Sequence, residues 1–312
     1  MTIKDRGITL KKELNALLLL AATVIFGLFM SGEAGEYVKE GLSIAIGCVI
    51  PTSFPFMIIS DIYVCYGNPE NITLLRRAFQ AFFGFSAYSL APFICGNIGG
   101  FPIGAKMAAD CYVMGLISKD EAEHLIPLSN NPSCAFIVGG VGLGIYGDIE
   151  IGFMLLASVY SATLICGLLT RASHRKISFA DVNIGQNYSF VTSVKNAGSS
   201  CIGIISFISI FSVVNGIIKQ RIKYAPLLYI ISAFSEVTNA IKIFSSASNL
   251  PNIFSLSLSA FALGFGGICV GLQSSVFTAP SGLRMRRYYI IKFLEGILAA
   301  SVFSILFILI KH

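Results

Sequence analysis

Polar side chains that could do chemistry are scarce in this sequence, and the most conspicuous ones lie inside apolar runs. Glu236 is followed at helical spacing by Thr238 and Asn239, so a carboxylate, a hydroxyl and an amide lie within one turn. Such a group can bind a polar solute or carry a proton. Lys106 follows a glycine-rich break in another apolar run. Because an ionisable group in a membrane segment costs several kcal/mol unless it is paired or hydrated, each of these residues is a candidate functional residue.

Local spacing predicts two ion pairs among these charges. Lys106 and Asp110 lie one helical turn apart, and so do Lys292 and Glu295. Each pair can be a self-neutralised structural feature or part of a functional site, and the sequence leaves both interpretations open. Three ionisable residues have no such local partner, namely Asp61, Glu236 and Lys242.

The stretch Asn130-Asn131-Pro132-Ser133 interrupts an apolar run and predicts a helix start. Asn is a favoured N-cap residue, and Pro is favoured at the first helical position. The free N–H groups and the positive end of such a helix attract an anion. The alternative is that Asn131 only caps a helix whose proline eases a bend.

Residues 99–106 read GGFPIGAK and predict a second helix start, with Lys106 one turn beyond a flexible break. The segment lacks the Gly-Lys-Ser/Thr ending of a P-loop, which argues against nucleotide hydrolysis. Both breaks would present positive helix ends, and Lys106 adds a full charge. Together they predict a site for an anionic or strongly dipolar solute.

Membrane helices are the elements that must position these residues. Of the 312 residues only 12% are charged and 55% are hydrophobic, with a mean hydropathy of +0.78. Soluble domains carry about 25% charged residues. The sequence therefore predicts an all-α polytopic membrane protein, with the lipid bilayer as its surroundings and room for roughly eight to ten membrane segments. A DNA-binding module, a disulfide-stapled secreted domain and a peripheral enzyme are excluded.

Several of the apolar segments are interrupted by Pro, Gly or Asn. Broken helices at membrane depth are tolerated only where protein or a water-filled cavity satisfies the backbone, and they are typical of transporters. Some segments are therefore expected to be re-entrant. The segments are Leu14–Met30, Gly41–Cys65, Ala78–Cys95, Pro102–Leu116, Leu125–Tyr146, Ile151–Thr170, Gly198–Ile218, Ala225–Phe244, Ile253–Val270 and Tyr288–Ile310.

The chain is predicted to consist of two membrane halves, residues 1–170 and 196–312. The basic stretch 171–195 between them is typical of a cytoplasmic connector. Gly41 and Gly198 begin similar passages, and if these enter the membrane from opposite sides the halves form an inverted-topology repeat with substrate at their interface. At one constant offset, Gly99, Gly100, Gly104, Lys106 and Gly115 correspond to Gly266, Gly267, Gly271, Gln273 and Gly282. The alternative is that Gly-Gly simply recurs in a glycine-rich chain.

Residue types needed for metal binding or catalysis are not assembled in the sequence. The eight cysteines form no CxxC, and no two of the three histidines have metal-ligand spacing. We therefore expect no metal, cofactor or catalytic residue and no enzymatic activity. An intramembrane aspartyl protease is the alternative from a different class, but Gly144–Asp148 departs from the motif of those enzymes. The net charge of +6 is attributed to cytoplasmic loops rather than to nucleic acid.

Four motifs in series resemble the YlbJ-type sporulation integral membrane proteins, of the nucleoside-recognition (Gate) domain group. They are residues 99–106, residues 130–140, Glu236–Asn239 and Phe265–Gln273. The resemblance spans about residues 38–305, with Cys134 and Ala240 replacing a usual Pro and Gly. It implies a role in endospore formation and the movement of dipicolinic acid, a pyridine dicarboxylate, across a bacterial membrane around the forespore.

The leading hypothesis is a secondary carrier or facilitator for a small organic anion, with dipicolinate as the implied substrate. Lys106 is expected to attract a carboxylate, the Asn130–Ser133 helix start to bind it, and Glu236 with Asn239 to complete the site or couple protons. The alternatives are transport of a nucleoside or another small polar solute, a non-transporting gate or scaffold subunit, and an intramembrane enzyme. A second copy of the chain or other sporulation membrane proteins are candidate partners. The predicted substrate-binding residues are Gly99, Gly100, Pro102, Gly104, Lys106, Asn130, Asn131, Pro132, Ser133, Glu236, Thr238, Asn239, Gly266, Gly267 and Gln273.

Overall fold

The computed structural model describes residues 33–66, 73–171, 189–247 and 252–311. The predicted first segment, Leu14–Met30, and most of the predicted connector lie outside these ranges. Within them the regular structure is helical, in thirteen α-helices with short 3₁₀ and π-helical pieces. The first seven helices are α1 (Ala34–Ile44), α2 (Ile50–Tyr66), α3 (Thr73–Phe83), α4 (Leu90–Gly99), α5 (Ile103–Val113), α6 (Lys119–Ser129) and α7 (Ile149–Leu169). The remaining six are α8 (Phe190–Arg221), α9 (Ala225–Ser235), α10 (Val237–Ser245), α11 (Asn252–Phe265), α12 (Gly267–Thr278) and α13 (Arg286–Lys311).

The described part of the chain combines long apolar stretches with shorter helices. Within it, four stretches are long and apolar enough to cross a membrane: Ile149–Leu169, Phe190–Arg221, Asn252–Thr278 and Arg286–Ile310. A fifth candidate, Arg77–Phe83 with Ala87–Gly99, bends by 93° at its break and is either a broken span or a re-entrant loop. The prediction of an all-α polytopic membrane protein with broken or re-entrant segments is confirmed.

Side-chain caps explain several of the helix starts. Ser118 accepts a hydrogen bond from the Glu121 N–H, as the Ser-x-x-Glu spacing predicts. The Glu121 carboxylate then reaches the preceding bend, where it accepts from the Ser86 N–H at 2.5 Å and from the Ser89 hydroxyl at 2.6 Å. Asp148 caps α7 through the N–H groups of the first turn. These contacts fix where the short helices begin.

Helices α1 and α8, which contain Gly41 and Gly198, pack against each other and run antiparallel. Gly41 lies against Ser212, whereas Tyr37, one turn earlier in α1, lies against Gly216, one turn later in α8. The approach at Gly41 is close, because a Cβ there would lie 2.8 Å from the Ser209 Cα. Antiparallel packing is the orientation that an inverted-topology repeat requires, and the repeat itself stays a prediction.

Two pairs of the recurring glycines share a backbone conformation. Gly100 follows α4 with φ +85°, and its counterpart Gly267 begins α12 with φ +80°. One helix later, Gly115 and Gly282 adopt φ +72° and +68°. The pair at the preceding position differs, because only Gly266 of that pair has a positive φ. The repeat of the two halves stays a prediction.

Two predicted boundaries need correction, whereas the predicted break in Leu125–Tyr146 is confirmed, because one helix ends at Ser129 and a π-helical stretch begins at Phe136. The segment Ala225–Phe244 is divided at Glu236 into α9 and α10. The helix α8 begins inside the predicted connector 171–195, because the Ser189 hydroxyl accepts a hydrogen bond from the Thr192 N–H and caps it.

Candidate functional site

Several helix breaks meet around a cavity of about 250 Å³, here called the helix-break cavity. Three breaks form part of its wall: the α4–α5 break, the stretch before the π-helical segment Phe136–Leu143, and the α9–α10 break. Residues of α1, α2, α8 and α12 complete the wall. Of the predicted site residues, those that line it are Gly99, Gly100, Pro132, Ser133, Glu236, Thr238 and Gln273. The sequence thus correctly singled out the breaks, and the fold brings three of them to one place.

Glycine is required where the breaks touch. A Cβ on Gly100 would lie 3.0 Å from the Ser133 backbone nitrogen, so these two breaks are in direct contact. A Cβ on Gly267 would lie 2.9 Å from the Ser235 carbonyl oxygen. Gly266 lies beside the ring of Phe101. The α11–α12 break therefore packs against the α4–α5 and α9–α10 breaks. Gly266 and Gly267 themselves do not line the cavity.

Glu236 is the charged residue of the cavity wall, and only 8% of it is exposed. Its Oε1 accepts from the Thr238 N–H at 2.9 Å, and its Oε2 accepts from the Asn239 N–H at 2.8 Å. The side chain therefore caps α10, where the helix dipole favours a negative charge. Among the described residues that line the cavity there is no Lys, Arg or His, so the hydrogen bonds that the carboxylate accepts there come from backbone N–H groups.

Neutral polar groups complete the lining. Gln273 is 5% exposed, and its Nε2 contacts the Cys269 Sγ at 3.2 Å. Ser133 caps the helix that follows it, because its Oγ accepts from the Phe136 N–H at 3.2 Å. Ser53 of α2 donates to the Phe101 carbonyl at 3.4 Å. The sequence interpretation missed Ser53, although the neighbouring prolines of α2 indicate a departure from a plain apolar helix.

Asn130 and Asn131 are fully buried, and neither is the expected cap. The Asn131 Nδ2 donates to the Asn97 Oδ1 at 2.9 Å and to the Thr163 Oγ1 at 3.0 Å, and its Oδ1 accepts from the Lys292 Nζ at 2.6 Å. The prediction that Asn131 caps a helix for an anion is therefore wrong. Its amide is instead used to satisfy a buried lysine, which is costly in an apolar core without such partners.

Lys106 also lies away from the cavity. Its Nζ is 2.5 Å from the Asp61 Oδ1 and 2.6 Å from the Asp110 Oδ2, and it donates to the Ser60 hydroxyl at 2.8 Å. The predicted pairs Lys106–Asp110 and Lys292–Glu295 are both confirmed. The expectation that Lys106 shares a site with Glu236 is corrected, because Lys106 does not line the helix-break cavity and two carboxylates already surround it.

The remaining predicted site residues have other positions. Pro102 precedes α5, and Gly104 packs so closely on the Ser129 backbone that a Cβ would overlap it. Asn130 donates to the Ser274 hydroxyl at 2.9 Å. Asn239 faces a different cavity, described below. In the described part of the chain no cluster of three or more His, Cys, Asp or Glu residues could hold a metal ion.

The helical architecture and its long apolar stretches define the chain as an all-α integral membrane protein. It is 24% identical to sporulation integral membrane protein YlbJ of Bacillus subtilis (strain 168), over 91% of this chain and 79% of that protein. This similarity confirms the YlbJ-type resemblance. No protein-family model matches the chain, and no solved structure matches it.

Proposed function

We propose that the protein is a membrane carrier for a small polar solute and that the helix-break cavity is its binding site. The observation that supports this is the meeting of helix breaks around a cavity of about 250 Å³ that holds a carboxylate, an amide and hydroxyl groups. Small-molecule sites usually measure about 300–1,000 Å³, so a cavity near the lower end suits a single small solute. Broken helices that line a central site are typical of secondary transporters.

A small organic anion is the proposed solute, with dipicolinate as the first candidate. The YlbJ-type resemblance implies this substrate, and the relative's name places that protein in sporulation. Because the lining residues that the structure describes include no cationic side chain, a dianion beside Glu236 would be repelled. We therefore propose that the anion moves together with protons and that Glu236 holds one of them during passage.

Flux in proteoliposomes tests the proposal. Purified protein should take up labelled dipicolinate faster than protein-free liposomes, and uptake should increase when the outer solution is made more acidic than the interior. An unlabelled excess of dipicolinate should abolish the signal. If intact, monodisperse protein gives no flux above the protein-free liposomes, the assignment of dipicolinate as the substrate is wrong.

A neutral polar solute such as a nucleoside is the second candidate, because no cation lies among the lining residues in the described ranges. This candidate also agrees with the Gate-domain part of the resemblance. Unlabelled uridine and adenosine in the same assay separate the two candidates. Competition by nucleosides, together with uptake of a labelled nucleoside, would favour the second candidate over the anion.

A further inference from the structure

A second and larger cavity, here called the outer cavity, has a volume of about 580 Å³. It lies between α1, the C-terminal part of α8, α9 and α10. Helix α10 borders both cavities, since Glu236 and Thr238 at its start line the helix-break cavity while Asn239 and Lys242 line the outer one. The two cavities are therefore neighbours along α10.

The lining of the outer cavity carries an unbalanced positive charge among the residues that the structure describes. The charged residues of this described lining are Glu40, Lys219 and Lys242. The Lys242 Nζ lies 3.2 Å from the Glu40 Oε1, so these two charges compensate each other. Lys219 forms no ion pair with any residue in the described ranges, and it remains available to an anion.

Asn215 supplies a polar group without a protein partner in the same wall. It is 4% exposed, and neither its Nδ2 nor its Oδ1 makes a hydrogen bond within the described part of the chain. Buried amides are normally satisfied, so an unsatisfied one needs an explanation such as an absent ligand. Asn215 and Lys219 lie one turn apart on α8 and therefore share a face. An N–H donor and an ammonium group so arranged suit an oxyanion.

We propose that the outer cavity binds an oxyanion, a carboxylate or a phosphate, through the Asn215 amide and the Lys219 ammonium group. Asn239 and Tyr37 also line the outer cavity, where such a ligand would contact them. In the carrier, this site is the vestibule that receives the anionic solute before it reaches the helix-break cavity. The vestibule role rests on the proposed function, whereas oxyanion binding stands without it.

Equilibrium binding to the full-length protein in lipid-free detergent tests the site, with labelled dipicolinate and, separately, inorganic phosphate as probes. Lys219→Gln removes one charge from an exposed side chain and should weaken dipicolinate binding about ten-fold, as expected for one charge-assisted hydrogen bond. Asn215→Leu should weaken it as well. Lys223→Gln is the matched control, because it removes the same charge just beyond α8 from a residue that does not line the cavity; its affinity should stay unchanged.

The possible outcomes separate the site from the transport proposal. Unchanged affinity in folded Lys219→Gln overturns the oxyanion site, even if the protein transports dipicolinate. Absence of flux in the intact protein overturns the carrier, but a Lys219-dependent affinity would still support the site. Nanodiscs of anionic and zwitterionic lipid distinguish the ligand source. If anionic lipid binds in a Lys219-dependent manner and dipicolinate does not displace it, the oxyanion is a lipid headgroup, and the vestibule role is overturned.

Discussion

The helix-break cavity and the cluster around Lys106 differ in how a buried charge is stabilised. In the cavity, Glu236 faces open space and is stabilised by two backbone N–H groups of its own helix. In the cluster, Lys106 is enclosed by Asp61, Asp110 and Ser60. A carboxylate held by backbone dipoles can gain or lose a proton without leaving a partner charge unpaired. A lysine between two carboxylates cannot lose its proton without leaving both carboxylates without a cation. The arrangement at Glu236 therefore suits a functional group that takes up and releases a proton, and the arrangement at Lys106 suits a structural one.

The largest expected effect is the loss of stability in Lys106→Met. This change leaves Asp61 and Asp110 without their cation, and breaking a buried pair costs about 3–5 kcal/mol of unfolding free energy. Unfolding in detergent, followed by circular dichroism, measures it. The triple variant that adds Asp61→Asn and Asp110→Asn removes the stranded charges and should recover most of the loss.

Lys106→Met also tests the distinction between the structural cluster and the functional cavity. If Lys106→Met retains its stability but loses dipicolinate flux, Lys106 acts on the solute, and the distinction between a structural cluster and a functional cavity fails. If both stability and flux survive in the triple variant, the cluster is structural, as its geometry indicates.

These two regions also show what the sequence could predict. The ion pair Lys106–Asp110 is predictable from the sequence, because the two residues lie one turn apart on one helix. Asp61 joins them only because α2 packs against α5, which no local pattern reveals. Glu236, Thr238 and Asn239 were recognised as a group, but the cap was not, because Glu is a less common N-cap than Asp or Ser.

Contacts between distant segments account for the other errors. The residues next to Asn131 predict that it caps a helix. Its side-chain oxygen instead accepts a hydrogen bond from Lys292, which is far away in the sequence. The helix breaks were predicted from Gly, Pro and Asn, which act locally through backbone conformation. Their meeting at one cavity depends on how α4, α5, α9 and α12 pack, and Asn239 consequently faces the outer cavity rather than the inner one.

A smaller loss is expected in Gly100→Ala, which tests how tightly the breaks define the cavity. Gly100 has φ +85° and ψ −177°, a region used almost only by glycine, and a non-glycine residue there costs about 1–3 kcal/mol. The new Cβ would also press on Ser133 at 3.0 Å. Chemical unfolding should show the loss, and flux should fall because both residues line the cavity.

Gly115→Ala is the matched control for this change. Gly115 has a similar φ of +72°, but a Cβ there would meet nothing within 4 Å. It should lose stability through backbone strain alone, by about 1–2 kcal/mol, and keep its flux. Equal flux in the two variants would show that contact between the breaks does not shape the solute site.

The smallest stability effect and the most specific functional effect are expected in Glu236→Gln. The amide oxygen can still accept one N–H bond of α10, so losing the other should cost about 1 kcal/mol. Dipicolinate uptake should lose its dependence on the proton gradient, because the amide cannot carry a proton. Proteoliposome uptake at several outer pH values, at fixed inner pH, measures this dependence.

Asp148→Asn provides the control that separates capping from proton transfer. Asp148 caps α7 in the same manner, with its Oδ1 accepting from the Glu150 N–H at 2.8 Å and the Ile151 N–H at 3.3 Å, but it lies outside the helix-break cavity. We expect a comparable small loss of stability with a normal response to the proton gradient. If Glu236→Gln keeps that response too, Glu236 is only a cap. Glu236 and Asp148 would then differ in position and not in chemistry, since both carboxylates would serve only to begin a helix.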